Sequence, residues 1–286
     1  APDQGAKFLG GKVEPMSAPA NSGGLATLQH NFFGTAAQSQ ARFESQYQLL
    51  MDLDNDLRSA PPQLSMANHG DFYTAAKGLM YQQNIIKIFQ FTDQDNLRYG
   101  NTNFGRACIV ARNAVQANEG TVFININLGS WDMHQNMFSK AYQPNMYSMC
   151  NDLDTGVSNL ALDLKSSGDF SKTLILMMGE FGRTPGEQNA RGGRDHFKDV
   201  MSAAMLGGGV VGGRTIGTTD SEGGVITDFG WSGNRSIRME DIAATIYSAL
   251  GIDWTKGITD TPSGRKFEYV PHGATGDYFP INEVFG

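Results

Sequence analysis

Two stretches of this sequence gather side chains that bind cations and anions. The first, GSWDMHQN at positions 129–136, carries Asp132 and His134. The second, GEFGRTPGEQNARGGRDHF at 179–197, carries Glu180, Arg183, Arg194, Asp195 and His196. With only five His and 22 Lys and Arg in 286 residues, such grouping is informative. Imidazole nitrogens combined with carboxylate oxygens suit zinc, manganese or iron, whereas a mostly carboxylate set suits magnesium or calcium. Two such ions about 4 Å apart would polarise a phosphoryl or sulfuryl group and generate the attacking oxygen. Arg183 would then hold an anionic substrate with its planar fork. Plainer roles stand beside these. Asp132 could cap a following helix, His134 could be a surface or core-edge imidazole, and His196 could be a satisfied, partly buried histidine. Glu180, Arg183 and Asp195 could brace two loops as an ion-pair network. What favours a cation is that both stretches begin where an apolar, strand-like run stops.

Those runs are TVFININL (121–128) and TLILMM (173–178). The first places Val122, Ile124, Ile126 and Leu128 on one face, which predicts a strand. The second is apolar on both faces, as a central parallel strand would be. VMSAAMLGGG (200–209) predicts a further strand. Helices are predicted between them from apolar residues at helical spacing. Phe104, Ala107, Cys108, Ala111 and Val115 define one, with Gly120 as its stop. Leu153, Val157, Leu160, Ala161 and Leu164 define a longer one ending at Gly168. Met239, Ile242, Ala243, Ile246 and Leu250 define a third, stopped by Gly251. Earlier, Phe43, Tyr47, Leu50 and Leu57 share a helical face that Pro61 and Pro62 end, and residues 70–91 predict another helix. Residues 1–36 read as an irregular lead-in and 37–286 as one domain. Strands alternating with helices predict an α/β fold with a parallel sheet covered on both faces. In such sheets ligands bind beyond the carboxyl ends of the strands. That is where Asp132, His134, Glu180 and Arg183 fall.

Other functions are disfavoured. The net charge is −7 and no basic patch is visible, so no nucleic-acid partner is expected. No apolar run reaches the roughly 18 residues of a membrane span. GGGVVGG at 207–213 lacks the Lys-Ser/Thr of a phosphate loop and reads as a strand-end turn. Cys108 and Cys150 are too few for a disulfide framework or zinc ribbon and are expected as free thiols. His30, His69 and His272 have no motif context and read as structural.

The segments FGRACIVARNAVQANEGTVFININLGSWDMHQNMF, TLILMMGEFGRTP, GGRDHF, GGGVVGGRTIGTTD and EDIAATIYSALGID, in that order, resemble the DUF1501 family from about residue 40 onward. These are bacterial, sulfatase-like proteins related to the alkaline phosphatase superfamily. The resemblance implies an α/β/α sandwich around a mostly parallel sheet. It also implies hydrolysis of phosphate or sulfate esters with a divalent metal ion: zinc, manganese, iron or calcium. It makes Asp132, His134, Glu180 and His196 the metal ligands, Arg183 the contact to the anionic ester, and Asp195 a ligand or the group that orients His196. Phe181 stands where the superfamily usually has a histidine. Family members normally carry an earlier segment with the first strand, a metal-binding Asp and the nucleophile region. It is not found in this chain, so a longer gene product, a protein partner covering that region, or a non-catalytic subunit of a larger assembly is expected. Family members are commonly exported, which implies a periplasmic or cell-surface location.

Overall fold

The computed structural model describes residues 15–18, 35–56, 73–74, 77–78, 82–261 and 264–286. Most of the lead-in 1–36, together with Leu57, Pro61, Pro62, His30 and His69, lies outside the described residues. The chain divides into two compact units. One comprises Ala1–Asn127 with Thr259–Arg265, the other Leu128–Ile258 with Lys266–Gly286.

The regular elements described in the first unit are helices. Helix α1 (Ala36–Leu53) starts at a capping box in which Thr35 accepts from the Gln38 amide and the Gln38 side chain accepts from the Thr35 amide. Of the helix predicted over 70–91, residues 73–74 and 77–78 are helical among the described residues, as is α2 (Gln83–Ile88). Helix α3 (Asp93–Arg98) is tied to α4 (Asn103–Ala117) by Arg112 on Asp95 at 2.9 Å. Cys108 and Ile109 of α4 are buried. Helix α4 ends at Asn118, in the left-handed region at φ 52°, two residues before the predicted Gly120. Asparagine tolerates that conformation because its short side chain can bond locally.

Residues 121–128 correct a prediction: TVFININL forms no strand. Val122 is 81% exposed and Phe123 is also exposed. The alternating pattern is present, but a strand exists only with a partner for its amides and carbonyls. Among the described residues this segment joins no strand ladder.

The second unit builds the site. Helix α5 (Met146–Ser167) is capped by Asn145 and ends at Gly168, φ 84°, where the sequence predicted its stop. Strand β1 (Leu174–Met178) pairs with β4 (Ala203–Gly207). The pairing is antiparallel, from Leu174↔Gly207 to Met178↔Ala203, not the predicted parallel arrangement. The reason is the connection: residues 179–202 contain no helix, and a parallel return needs a crossover, usually a helix, to carry the chain back. All four ladders among the described residues are two-stranded and antiparallel. The architecture is therefore mixed α/β with small antiparallel sheets. Leu176 and Met205 pack from this ladder against a core of Trp231, Ile242, Ile281 and Val284. Helix α6 (Met239–Ala249) supplies Ile242, but its buried face also holds Asp241 and Thr245, while Met239 and Leu250 are exposed. The predicted apolar stripe is thus rotated toward polar residues. Asp241 is buried because Arg235 meets it with both terminal nitrogens, at 2.6 and 2.7 Å.

Candidate metal centre

Asp132 and His134 flank Met133, and the three residues divide by environment. Met133 is buried with Met137 and Met149, so the loop is pinned to α5 through a methionine core. Asp132 and His134 are left outside that core, Asp132 exposed and His134 partly so. No helix begins at Asp132; the next one is capped by Asn145, which removes the capping role as an explanation of Asp132.

The second stretch folds as a hairpin. Strand β2 (Gly182–Arg183) pairs with β3 (His196–Phe197), with Arg183 directly opposite His196. Directly opposed residues project from the same face, so both side chains meet at one point. Gly182 is required for the approach, because a Cβ there would overlap the Val200 carbonyl oxygen. The hairpin loop is stitched to the Asp132 loop by three backbone bonds. The Asn136 amide donates to the Arg191 carbonyl (3.0 Å), Met137 to Gly192 (2.8 Å) and Arg194 to Met133 (3.1 Å). Gly193 lies flush against His134; a Cβ there would overlap the His134 carbonyl carbon and the Gln135 nitrogen. The Arg194 side chain donates to the Thr184 and Gly186 carbonyls and closes the loop from inside.

Asp132 Oδ1 is the meeting point. It lies 2.9 Å from His196 Nε2, 3.0 Å from His134 Nε2 and 2.7 Å from Arg183 Nη2. The hydrogen bond from His196, and next that from Arg183, hold the Asp132 carboxyl down to about 2. It is therefore an anion at neutral pH. His134 Nδ1 donates to Asp195 Oδ1 at 2.6 Å. That bond, followed by one from Asn189, holds Asp195 below the usual carboxylate range. Phe181 packs on His196, ring centroids 4.3 Å apart, and the Arg183 guanidinium lies 5.6 Å over Phe181. Phe181 thus buttresses a neighbouring imidazole.

Asp132, His134 and His196 each present one ligand atom within 4.8 Å of the others. Bonds of about 2.0–2.2 Å to a divalent ion separate adjacent ligand atoms by about 3–3.5 Å. The Nε2–Oδ1 spacings of 2.9 and 3.0 Å are a few tenths of an ångström shorter, the spacing of hydrogen-bonded pairs that would open slightly around an ion. The proton on His134 Nδ1, given to Asp195, leaves the Nε2 lone pair for a cation, the usual orientation of a ligating histidine. Two imidazoles, one carboxylate and an open side fit zinc, manganese or iron. So three of the four sequence-predicted ligands come together. Glu180 is exposed just beyond β1 and is not among the converging groups. Asp195 orients a histidine as one alternative held, but the histidine is His134, not His196. The sequence reading missed Asn189, whose position in a Gly-rich loop two residues before Arg191 is the pattern of an Asx turn.

Cys108 and Cys150 are free thiols, as expected. No helix among the described residues is long and apolar enough to cross a membrane. Neither a curated protein nor a solved structure matches the chain. The family model described as "Protein of unknown function (DUF1501)" matches residues 1–276, which includes the lead-in that the motifs left out. The chain belongs to the DUF1501 family.

Proposed function

We propose that this chain is a metal-dependent hydrolase of phosphate or sulfate esters, with Asp132, His134 and His196 holding the cation. The observation that carries the reading is the convergence of these three donors beside an arginine. A divalent cation bound there would supply Lewis acidity toward the ester oxygens. The remaining work falls to the protein. Asp132 stays ionised at neutral pH, Asp195 fixes the tautomer and tilt of His134, and Phe181 restrains His196. Arg183 has five N–H donors in a rigid fork. With Nη2 on Asp132 and Nη1 reaching the Arg194 carbonyl at 3.4 Å, its guanidinium is fixed where an oxyanion would complement it. The net reaction is ester plus water giving alcohol and the inorganic anion.

We read the β1–β4 ladder and its covering helix α6 as part of the α/β/α sandwich of the alkaline phosphatase superfamily, and the location as periplasmic or cell-surface. The resemblance of the motifs supports both; cell fractionation checks the second. A second functional reading, a non-catalytic binding or structural role, is favoured by the exposed Glu180 standing apart and by Phe181 in place of a histidine ligand. Turnover separates the two. Protein loaded with zinc, manganese or iron is expected to hydrolyse p-nitrophenyl phosphate or sulfate, with Arg183→Ala raising KM or lowering kcat at least tenfold. Tight metal binding without turnover of any ester would favour the structural role.

A further inference from the structure

We propose that Asn189 is a positioning residue for the cation site, acting through Asp195 on His134. The inference rests on the metal reading above. The Asn189 side chain uses its whole hydrogen-bonding capacity. Its Oδ1 accepts from the amides of Arg191 (3.0 Å) and Gly193 (3.1 Å). Its Nδ2 donates to Asp195 Oδ2 (3.2 Å) and to the His134 carbonyl (3.2 Å). The orientation of the amide is unambiguous: the opposite one would turn its NH2 toward two N–H donors and its oxygen toward two acceptors.

The consequence is geometric. Asp195 has two carboxylate oxygens, and rotation about Cβ–Cγ exchanges their places. Asn189 holds Oδ2, so Oδ1 is presented to His134 Nδ1 at 2.6 Å. Arg191 Nη2 adds a weaker, exposed contact to the same Oδ1 at 3.4 Å. Asn189 also donates to the main-chain carbonyl of His134, which joins the two loops but leaves the tilt of the ring to Asp195. The Asp195 amide is anchored separately to Thr184 Oγ1 at 3.1 Å, which locates the backbone but leaves the carboxylate free to turn. Asn189 is the contact that stops that turn. The relay Asn189–Asp195–His134 therefore aims Nε2 at the point shared with Asp132 and His196.

The test uses the full chain with zinc or cobalt(II) alone as probe. Asn189→Asp keeps an oxygen for the Arg191 and Gly193 amides but turns a second carboxylate oxygen on Asp195. Outer contacts of this kind typically alter metal affinity by about 10–100-fold, and a loss of that size is expected. Because Asn189 acts through Asp195, the same substitution in an Asp195→Ala background should weaken zinc binding less than twofold further. An Asn189→Asp variant that binds zinc like wild type while Asp195→Ala binds more weakly overturns the proposal. So does an Asn189 effect that persists in full without Asp195, since that would make it a loop brace only. Should the wild-type chain take neither ion, the metal reading fails by itself, and nitrogen spectra of the labelled His134 ring decide this inference independently. A fixed Nδ1–H tautomer that is lost in Asn189→Asp upholds the relay; an unchanged ring spectrum refutes it.

Discussion

Gly193→Ala is the substitution whose effect follows most directly from the geometry. The added Cβ would overlap the backbone of His134 and Gln135, where no side chain can move aside. Relief requires residues 192–194 to part from 133–137. Three backbone hydrogen bonds span that seam, at 3.0, 2.8 and 3.1 Å. Each contributes about 0.5–1.5 kcal/mol net, so losing two or three lowers stability by about 2–3 kcal/mol. At roughly 2–4 °C per kcal/mol for a unit of this size, the midpoint should fall by about 5–10 °C. The same parting separates Asp132 and His134 from His196, so zinc affinity should drop at least tenfold. Gly192→Ala is the control: its φ of 73° carries strain, yet the nearest atoms to its Cβ lie at 3.8 Å. It should cost about 1–2 kcal/mol and leave zinc affinity within a few-fold. Urea unfolding and zinc titration of both variants are the assays. A Gly193→Ala protein with stability within about 0.5 kcal/mol of wild type and unchanged zinc affinity would refute the argument that the seam sets the site.

Three further outcomes follow from other parts of the second unit and from α4. Asp241→Ala leaves Arg235 without its partner and orphans the Arg238 and Phe279 amides, 2.8 and 3.2 Å away; urea unfolding should show a loss of about 3 kcal/mol, with Arg235→Lys losing less. Asp132 has a folded-state value of about 2, below that of a free carboxylate, so its contribution is present above about pH 4 and is lost as pH falls toward 2. Acid unfolding of Asp132→Asn should lack that part of the pH dependence. Burial pushes the Cys108 thiol up to about 12, whereas Cys150 is exposed. A thiol reagent at neutral pH should modify one cysteine in the native chain and the second only on unfolding.

The positions of several helices and strands were legible in the sequence. Helix α5 ends at Gly168 as its pattern predicts, and β1 and β4 fall inside TLILMM and VMSAAMLGGG. Partnership was not legible. TVFININL has the strand pattern without a ladder, and β1 pairs antiparallel, because direction depends on a connection that the strand's own residues do not encode. At the site, residue chemistry pointed to Asp132, His134, Arg183 and His196, which meet at one carboxylate oxygen. It could not separate Glu180, which has the same chemistry but a different place. Nor could it assign Asp195 to His134, sixty-one positions earlier, rather than to the adjacent His196. Asn189 carried no charge to draw notice, and its role exists only once the two loops are joined.

Asp132, His134 and His196 are proposed to hold one divalent cation together. Calorimetric titration of the metal-stripped chain with zinc, beside Asp132→Ala, His134→Ala and His196→Ala, tests this most directly. About one equivalent is expected to bind the wild-type chain and each variant should bind at least tenfold more weakly, with all three still folded by circular dichroism. Zinc binding that is absent from the wild-type chain, or that survives all three substitutions unchanged, would contradict it.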